Sequence, residues 1–350
     1  MRAIVYTETG RPEVLQLVDR PEPRPRPGEV VVRVAVSGVN PTDCKNRSGK
    51  RPGDAPPFPE VTPNQDGAGT IVAVGEGVDP RRTGQRVWLW EAAWERAGGT
   101  AQEMLAIPAA HAVALPPDAS FDVGAVLGIP AMTAHRALAV GVEGGDGHLV
   151  PGALAGRTVL VAGGAGAVGH AAIELARWAG ATVVTTVSSP EKAALAAVAG
   201  ADHVVNYRSG DTADAIRQVA PDGVDVIVEV APVANAELDV AVLAANGTVT
   251  AYASEEAPLS IPVRPAMRLN ARYQFLLVYT MPDAAKARAV HDVTAAAAAG
   301  ALRVDQEAGL PLHRFPLERS ADAHAAVEGG AVGKVLIDVS GEAGLGRNPA

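Results

Sequence analysis

One cysteine, Cys44, occurs in 350 residues. A single thiol builds no disulfide within the chain and no multi-cysteine metal site. A disulfide-stapled secreted fold and a four-cysteine zinc lobe are both excluded, and a reducing cytoplasm suits the composition. Basic charge is also scarce: 30 Lys and Arg face 39 Asp and Glu, for a net charge of −9. Nucleic acids select a basic face that displaces counterions, and anionic membranes attract basic patches. Neither partner is expected, and charge of this sign chiefly favours solubility. No apolar run reaches 18 residues, so no spanning helix is expected. The opening MRAIVY is not followed by the apolar core of a signal peptide. Eight histidines, at 111, 135, 148, 170, 203, 291, 313 and 324, fall at no ligand spacing.

What remains is an ordinary globular balance, 48% hydrophobic and 20% charged, in a length that suits two domains. Residues 1–128 read as β-rich. MRAIVYT, EVVVRVAVSGVN, GAGTIVAVGEGV and GQRVWLW are short Val- and Ile-rich runs bounded by turn residues. Prolines at 21, 23, 25 and 27 make the connector between the first two runs extended. Pro52 to Pro63 reads as a surface loop. From residue 129 the pattern changes. RTVLVAG, ATVVTTV, HVVNY, VDVIVEV and GTVTAYA alternate with helical periods, and YQFLLVY (273–279) closes the series. Such alternation predicts right-handed crossovers and a parallel sheet. Its strands are almost wholly apolar, as a sheet covered on both faces requires. The fold class is therefore α/β, a doubly wound parallel sheet beside a β-rich domain. After Met281 an Ala-rich helix, a further helix and GKVLIDV are expected to return to the first domain. SGEAGLGRNPA reads as a loose tail.

The stretch VLVAGGAGAVGHAAIELA (159–176) carries the chemistry. A strand enters, a glycine turn follows and a helix leaves at once, near Ala167. Gly163, Gly164, Gly166 and Gly169, with Ala165, Ala167 and Val168 between them, form a turn that lets a pyrophosphate approach backbone N–H groups. The helix N-terminus adds its positive dipole end. Strand before and helix after is the context that makes G-x-G-x-x-G a dinucleotide site. An NAD site usually ends the second strand with an acid that holds the ribose 2′-hydroxyl. Here ATVVTTV is followed by Ser188, Ser189, Pro190, Glu191 and Lys192. Two hydroxyls and an ammonium suit a 2′-phosphate, so NADPH is the expected cofactor; the plainer alternative is a serine N-cap beside a solvated lysine.

The loop AGGAGAVGHAAIELA, with GIPAMTAHRAL (128–138), SGVNPTDCKNRSG (37–49), NYR (206–208) and the closing GKVLIDV (333–339), resembles the zinc-independent, zeta-crystallin-like quinone oxidoreductases of the medium-chain dehydrogenase/reductase superfamily. The resemblance spans nearly the whole chain in the same order. It implies a Rossmann domain at 129–279 and a discontinuous GroES-like catalytic domain at 1–128 and 280–350, with the active cleft between them. It implies that Ser188, Lys192 and Tyr207 read the 2′-phosphate, that Thr133 meets the nicotinamide end, that Asn40 is an active-site residue and that Lys334 belongs to the cofactor set. Two positions depart from the family pattern. Lys45 stands where a tyrosine is common, as in some enone-reducing relatives, and Glu174 stands where Gln is frequent. The loop EGGDGHLVPGALAG is longer than usual.

Zinc relatives use Cys, His and a further Cys or Asp with one open position. The matching positions here are Asn40 and the stretch Asn64-Gln65-Asp66, so no metal is expected, and Cys44 reads as a buried small hydrophobe. Hydride transfer without a metal needs donors for the charge that develops on the acceptor oxygen. Asn40 and Lys45 are the candidates, with Arg47 weaker and both cations otherwise solvated loop residues. His135 is a further possibility through its nearness to Thr133. Trp88, Trp90, Trp94 and Tyr252 are either core or an apolar wall for a flat acceptor. The expected substrate is a quinone or an α,β-unsaturated carbonyl. The alternatives are a pathway-specific enoyl reductase, a non-catalytic NADPH-binding crystallin-like protein and a zinc alcohol dehydrogenase. YQFLLVY as an exposed edge, together with the resemblance, points to a homodimer.

Overall fold

The computed structural model describes residues 1–141, 147–254 and 257–340. The tail at 341–350 and positions 143–146 of the longer loop lie outside these. Tight chain contacts divide the protein into two units: Met1–Ile129 with the chain from Leu312 on, and Pro130–Pro311.

The first unit opens with a two-stranded ribbon, β1 (Arg2–Val5) and β2 (Gln16–Asp19). After the proline connector come β3 (Glu29–Val39), α1 (Pro41–Ser48), β4 (Asp66–Val74), β5 (Arg86–Leu89), β6 (Met104–Pro108), β7 (Ala112–Ala114) and α2 (Phe121–Val126). In the second unit α3 (Met132–Gly141) precedes the regular alternation: β8 (Thr158–Ala162), α4 (Ala167–Trp178), β9 (Thr182–Val187), α5 (Pro190–Ala199), β10 (His203–Asn206), α6 (Thr212–Val219), β11 (Val224–Glu229), α7 (Pro232–Val242) and β12 (Leu243–Ala251). Then α8 (Val263–Arg268), β13 (Arg272–Phe275) and α9 (Asp283–Ala298) complete it. The chain returns to the first unit with β14 (Leu312–Pro316), α10 (Ser320–Glu328) and β15 (Lys334–Asp338).

The second unit's sheet runs β10-β9-β8-β11-β12-β13 with every neighbouring pair parallel. That is the order of a doubly wound nucleotide fold, and its switch point falls between β8 and β11. Val159, Val161, Val183, Val184, Val226 and Val228 are at most 1% exposed, as strands covered on both faces must be. Thr185 is also buried, and its hydroxyl is satisfied by the Val161 carbonyl at 2.7 Å. The first unit's sheet runs β14-β15-β3-β4-β5-β7, with β6 on β3. It is antiparallel except for β14 beside β15. Among the described residues one helical stretch, Phe121–Gly141, is long and apolar enough to span a membrane by length and composition. Of its most apolar window 78% is buried, the mark of a core helix.

The C-terminal boundary departs from expectation. The break comes at 311/312 rather than 279/280, and α9 belongs with the parallel sheet's unit. Two polar ties explain it. Asp292 of α9 accepts hydrogen bonds from His135 Nε2 and from the Leu149 N–H, both at 2.8 Å. Glu174 of α4 accepts from Arg303 N and Arg303 Nε, both at 2.9 Å. Glu174, noted only as a departure from Gln, is thus the anchor of residues 300–311. His135 is fully buried on Asp292, so its candidacy as a catalytic base is withdrawn.

Candidate active site

The glycine loop forms because its neighbours leave no room for side chains. Gly163 adopts φ +72°, a conformation that costs other residues strain. A Cβ on Gly164 would lie 2.2 Å from Thr185 Oγ1, and one on Gly169 would lie 2.4 Å from the Gly163 carbonyl. Gly166 caps α4, whose first residues are Ala167 and Val168, and the unpaired N–H groups of that first turn face outward along the helix axis. Ala165 is buried beneath the turn. A cavity of about 660 Å3 opens at the carboxyl ends of β8, β9, β10 and β11, lined by Gly163, Thr186, Tyr207, Asp211, Val230 and Asn235 among others. This is where open α/β sheets bind nucleotides, and a turn closed to Cβ atoms fits a pyrophosphate.

At the tip of β9 Ser189 caps α5, its hydroxyl accepting from Lys192 N at 3.3 Å. Lys192 Nζ donates to Ser188 Oγ at 3.1 Å. The plain cap and the cation cluster therefore coexist: Ser189 serves the helix, and Ser188 with Lys192 forms a donor pair. Tyr207 is 48% exposed and lines the cavity. Behind the same cavity Glu229, at the end of β11, accepts from Ala231 N and Asn235 Nδ2. Burial and the Glu229 charge push Asp239 up, and burial raises Glu229 as well. Nothing in the sequence alone pointed to this acid pair, since its members lie on different elements. Thr133 lies buried on α3.

In the first unit SGVNPTDCKNRSG ends β3 and then forms the helix α1, so Lys45 and Arg47 stand on a helix and not in a solvated loop. Pro41 starts the helix, and Asp43 reaches back to the Asn40 N–H at 2.8 Å. Asn40 is buried. Its Nδ2 donates to Asp66 Oδ2 at 2.7 Å, and its Oδ1 accepts from Lys334 Nζ at 2.6 Å. Lys334 Nζ also lies 3.7 Å from Asp66, and the other Asp66 oxygen accepts from Ile129 N at 2.8 Å. Lys334, expected on the cofactor, is buried here as a counter-ion to Asp66. Burial pulls its ammonium below the ordinary lysine value, against the pull of Asp66 and Asp43. Burial and then the Asp66 charge push Asp43 up to about 7, despite the N–H groups of Asn40 and Gln65 that it accepts. The sequence reading missed Asp43 and Asp66. The available signal was an acid three residues into a helix start, and an acid opening an otherwise apolar strand.

Arg47 corrects both of its readings. It is 1% exposed, donates to the Gly10 carbonyl at 2.6 Å and pairs with Glu328, so its charge is committed within the unit. Lys45 is exposed on the same helix. A cavity of about 400 Å3 is lined by Tyr6, Asp43, Asn46, Phe58, Asn64 and Trp94, among others. Lys45 is not part of that lining. The proposed aromatic wall is not one surface. Trp88 is wholly buried core, Trp90 stacks on His111 with centroids 4.2 Å apart, Tyr252 belongs to the other unit, and only Trp94 lines this cavity. Asn64 holds φ +78° while its amide joins Ser37 Oγ and His324 Nε2. Cys44 is buried against His324, and burial pushes its thiol up to about 12, so it is the inert small residue expected.

The family described as "Alcohol dehydrogenase GroES-like domain" matches residues 26–117, and that described as "Zinc-binding dehydrogenase" matches 167–295. Quinone oxidoreductase from Lama guanicoe is 33% identical over 342 residues, covering 96% of this chain and 97% of its own. The chain belongs to the quinone oxidoreductase branch of the medium-chain dehydrogenase/reductase superfamily. The Homo sapiens quinone oxidoreductase is 32% identical over the same shares. A mycobacterial protein of the branch, solved in complex with NADPH, superposes with a TM-score of 0.77 at 29% identity, covering 96% of this chain and 99% of its own. The chain is accordingly a nicotinamide-dependent oxidoreductase. The positions where zinc relatives bind their catalytic ion do not fit one here. Asn40 is an amide committed to Asp66 and Lys334, and Gln65 accepts from Ala93 N through Oε1 at 3.0 Å. No thiolate or imidazole stands at either position.

Proposed function

We propose that the protein uses NADPH, without a catalytic zinc ion, to reduce a quinone or an α,β-unsaturated carbonyl of small size. The observation that carries this reading is the Ser188–Lys192 donor pair, which stands where NAD enzymes place an acid. Hydroxyl and ammonium groups attract a 2′-phosphate and give an unphosphorylated ribose nothing equivalent. Tyr207, on the wall of the same cavity, offers a flat partner for the adenosine end. NADPH supplies the hydride when bound. The chain's own task is to orient it and to stabilise negative charge on the acceptor oxygen. We assign the nicotinamide end to Thr133, and the acceptor end to the neighbourhood of Asn40 with Lys45 as the mobile cation. The aromatic cavity of the first unit, with Tyr6, Phe58 and Trp94, suits a flat conjugated acceptor.

The test is NADPH and NADH consumption by purified protein with a benzoquinone and with an α,β-unsaturated ketone, alongside calorimetric Kd values for both nucleotides. Turnover of either acceptor with NADPH preferred is the expected result. Tight NADPH binding with no turnover of any acceptor supports a non-catalytic role instead, and equal use of NADH removes the cofactor assignment.

A further inference from the structure

The histidines show no ligand spacing along the chain, yet the fold gathers three of them on one carboxylate. His148 Nδ1 lies 3.0 Å from Asp292 Oδ1, and His291 Nδ1 lies 2.9 Å from the same oxygen. His135 Nε2 and the Leu149 N–H hold the other oxygen, each at 2.8 Å. We propose that His148, His291 and Asp292 form a binding site for a divalent first-row cation of the zinc class. It is separate from the catalytic position of zinc relatives and lies wholly within the parallel-sheet unit.

Three observations carry the proposal. One ligand atom from each of the three residues falls within 4.8 Å of the others. Tetrahedral zinc bonds of about 2.0–2.2 Å require donor separations of roughly 3.4 Å, so small side-chain movements suffice. Asp292 is fully buried, and His135 with the Leu149 N–H fixes its orientation, which is the outer support that metal-binding carboxylates need. The two imidazoles are 38% and 73% exposed at their side chains, so a cation has an approach and a water can take the fourth position. Two nitrogens and one oxygen suit zinc, nickel or copper, whereas magnesium and calcium require oxygen cages. Each Nδ1 becomes a ligand when its proton resides on Nε2 instead. The bound ion would clip the segment 148–149 to α9.

The alternative is a hydrogen-bonded histidine cluster that binds no ion. To separate the two, protein freed of metal by chelator dialysis is titrated calorimetrically with Zn2+, and its thermal midpoint is read with and without Zn2+. The same is done for His148→Ala, His291→Ala and, as a surface control, His203→Ala. The expected result is one Zn2+ per chain, affinity weakened at least tenfold in His148→Ala and His291→Ala, and a zinc-dependent rise in midpoint lost in both. His291 is so exposed that its removal leaves folding intact. Wild type that binds no better than His291→Ala, or a loss of equal size in His203→Ala, overturns the site.

Discussion

Lys192 Nζ donates to Ser188 Oγ across 3.1 Å at the tip of β9, and no acid occupies the end of that strand. A 2′-phosphate placed there gains charge-assisted hydrogen bonds of about 1.5–3 kcal/mol. Lys192→Glu is therefore expected to raise the Kd for NADPH by roughly 10- to 100-fold, while the Kd for NADH changes by less than about threefold. Parallel titrations of both nucleotides decide it, and equal losses rule out the donor pair as the discriminator.

Gly164 and Gly169 make the pyrophosphate turn possible by what they lack. A methyl group on Gly169 meets the Gly163 carbonyl at 2.4 Å, and neither backbone segment can yield without opening the turn. Gly169→Ala is expected to lower stability by about 1–3 kcal/mol and to weaken NADPH and NADH alike. Gly166→Ala is the contrasting variant. Its Cβ meets only the Gly163 carbonyl at 3.5 Å, an ordinary contact, so its thermal midpoint stays near wild type. Equal midpoints for all three proteins remove the steric argument.

The parallel sheet, the loop and the serine–lysine pair were legible because each is local. Strand, turn and helix lie within twenty residues of one another, and apolar periodicity marks them. The C-terminal boundary expected from the family differs from the division at 311/312 because α9 is an Ala-rich helix whose packing partner no periodicity reveals. Only the folded chain brings Asp292 to His135 and Leu149. The same holds for Lys334, nearly 300 positions from Asn40 yet bonded to it. Arg47 was read as solvated because arginine usually is. Its burial depends on Gly10 and Glu328, which sequence spacing does not join to it. Charged residues that meet across long sequence separations are the ones a local reading assigns to solvent or to ligand.

Asp43 makes stability depend on pH in a direction unusual for an acid. Its folded value, about 7, lies above the ordinary carboxylate value of 3.8. The folded protein therefore holds a proton that the unfolded chain releases, and the stability this gives is complete below about pH 4 and lost as pH rises toward 7. The ceiling of the effect is about 4 kcal/mol. Asp43→Asn removes the titration, so its deficit relative to wild type is expected to shrink between pH 5 and pH 8. Denaturant midpoints across that range are the measurement, and a deficit that stays constant or grows refutes the elevated value.

Lys45 is exposed on α1, free to swing, and assigned to the acceptor end. Lys45→Ala is expected to lower kcat roughly tenfold, less than the 10²–10³ of a buried oxyanion donor because water screens it, with the NADPH Kd unchanged. Added salt is expected to shrink the difference. Unaltered kcat on both a quinone and an enone removes Lys45 from the reaction.

The edge of the parallel sheet supplies the last test. β13 is its terminal strand, paired only to β12 in the sheet order, and it presents Phe275 at 58% and Leu277 at 51% exposure beside it. On α8, just ahead in the chain, Val263 and Met267 are 65% and 71% exposed. Unpaired strand edges with apolar side chains recruit another strand, and a patch of this kind rarely faces water in a monomer. A second copy related by a two-fold axis is expected to meet the edge with its own β13 antiparallel, so that each Phe275 and Leu277 would serve both chains. Sedimentation is expected to give about twice the 35.7 kDa chain mass. Leu277→Lys combined with Phe275→Lys places like charges on both sides of that seam and is expected to yield monomers with an intact fold by circular dichroism. Wild type that sediments as one chain, or a double variant that remains dimeric, shows that this edge is covered in another way.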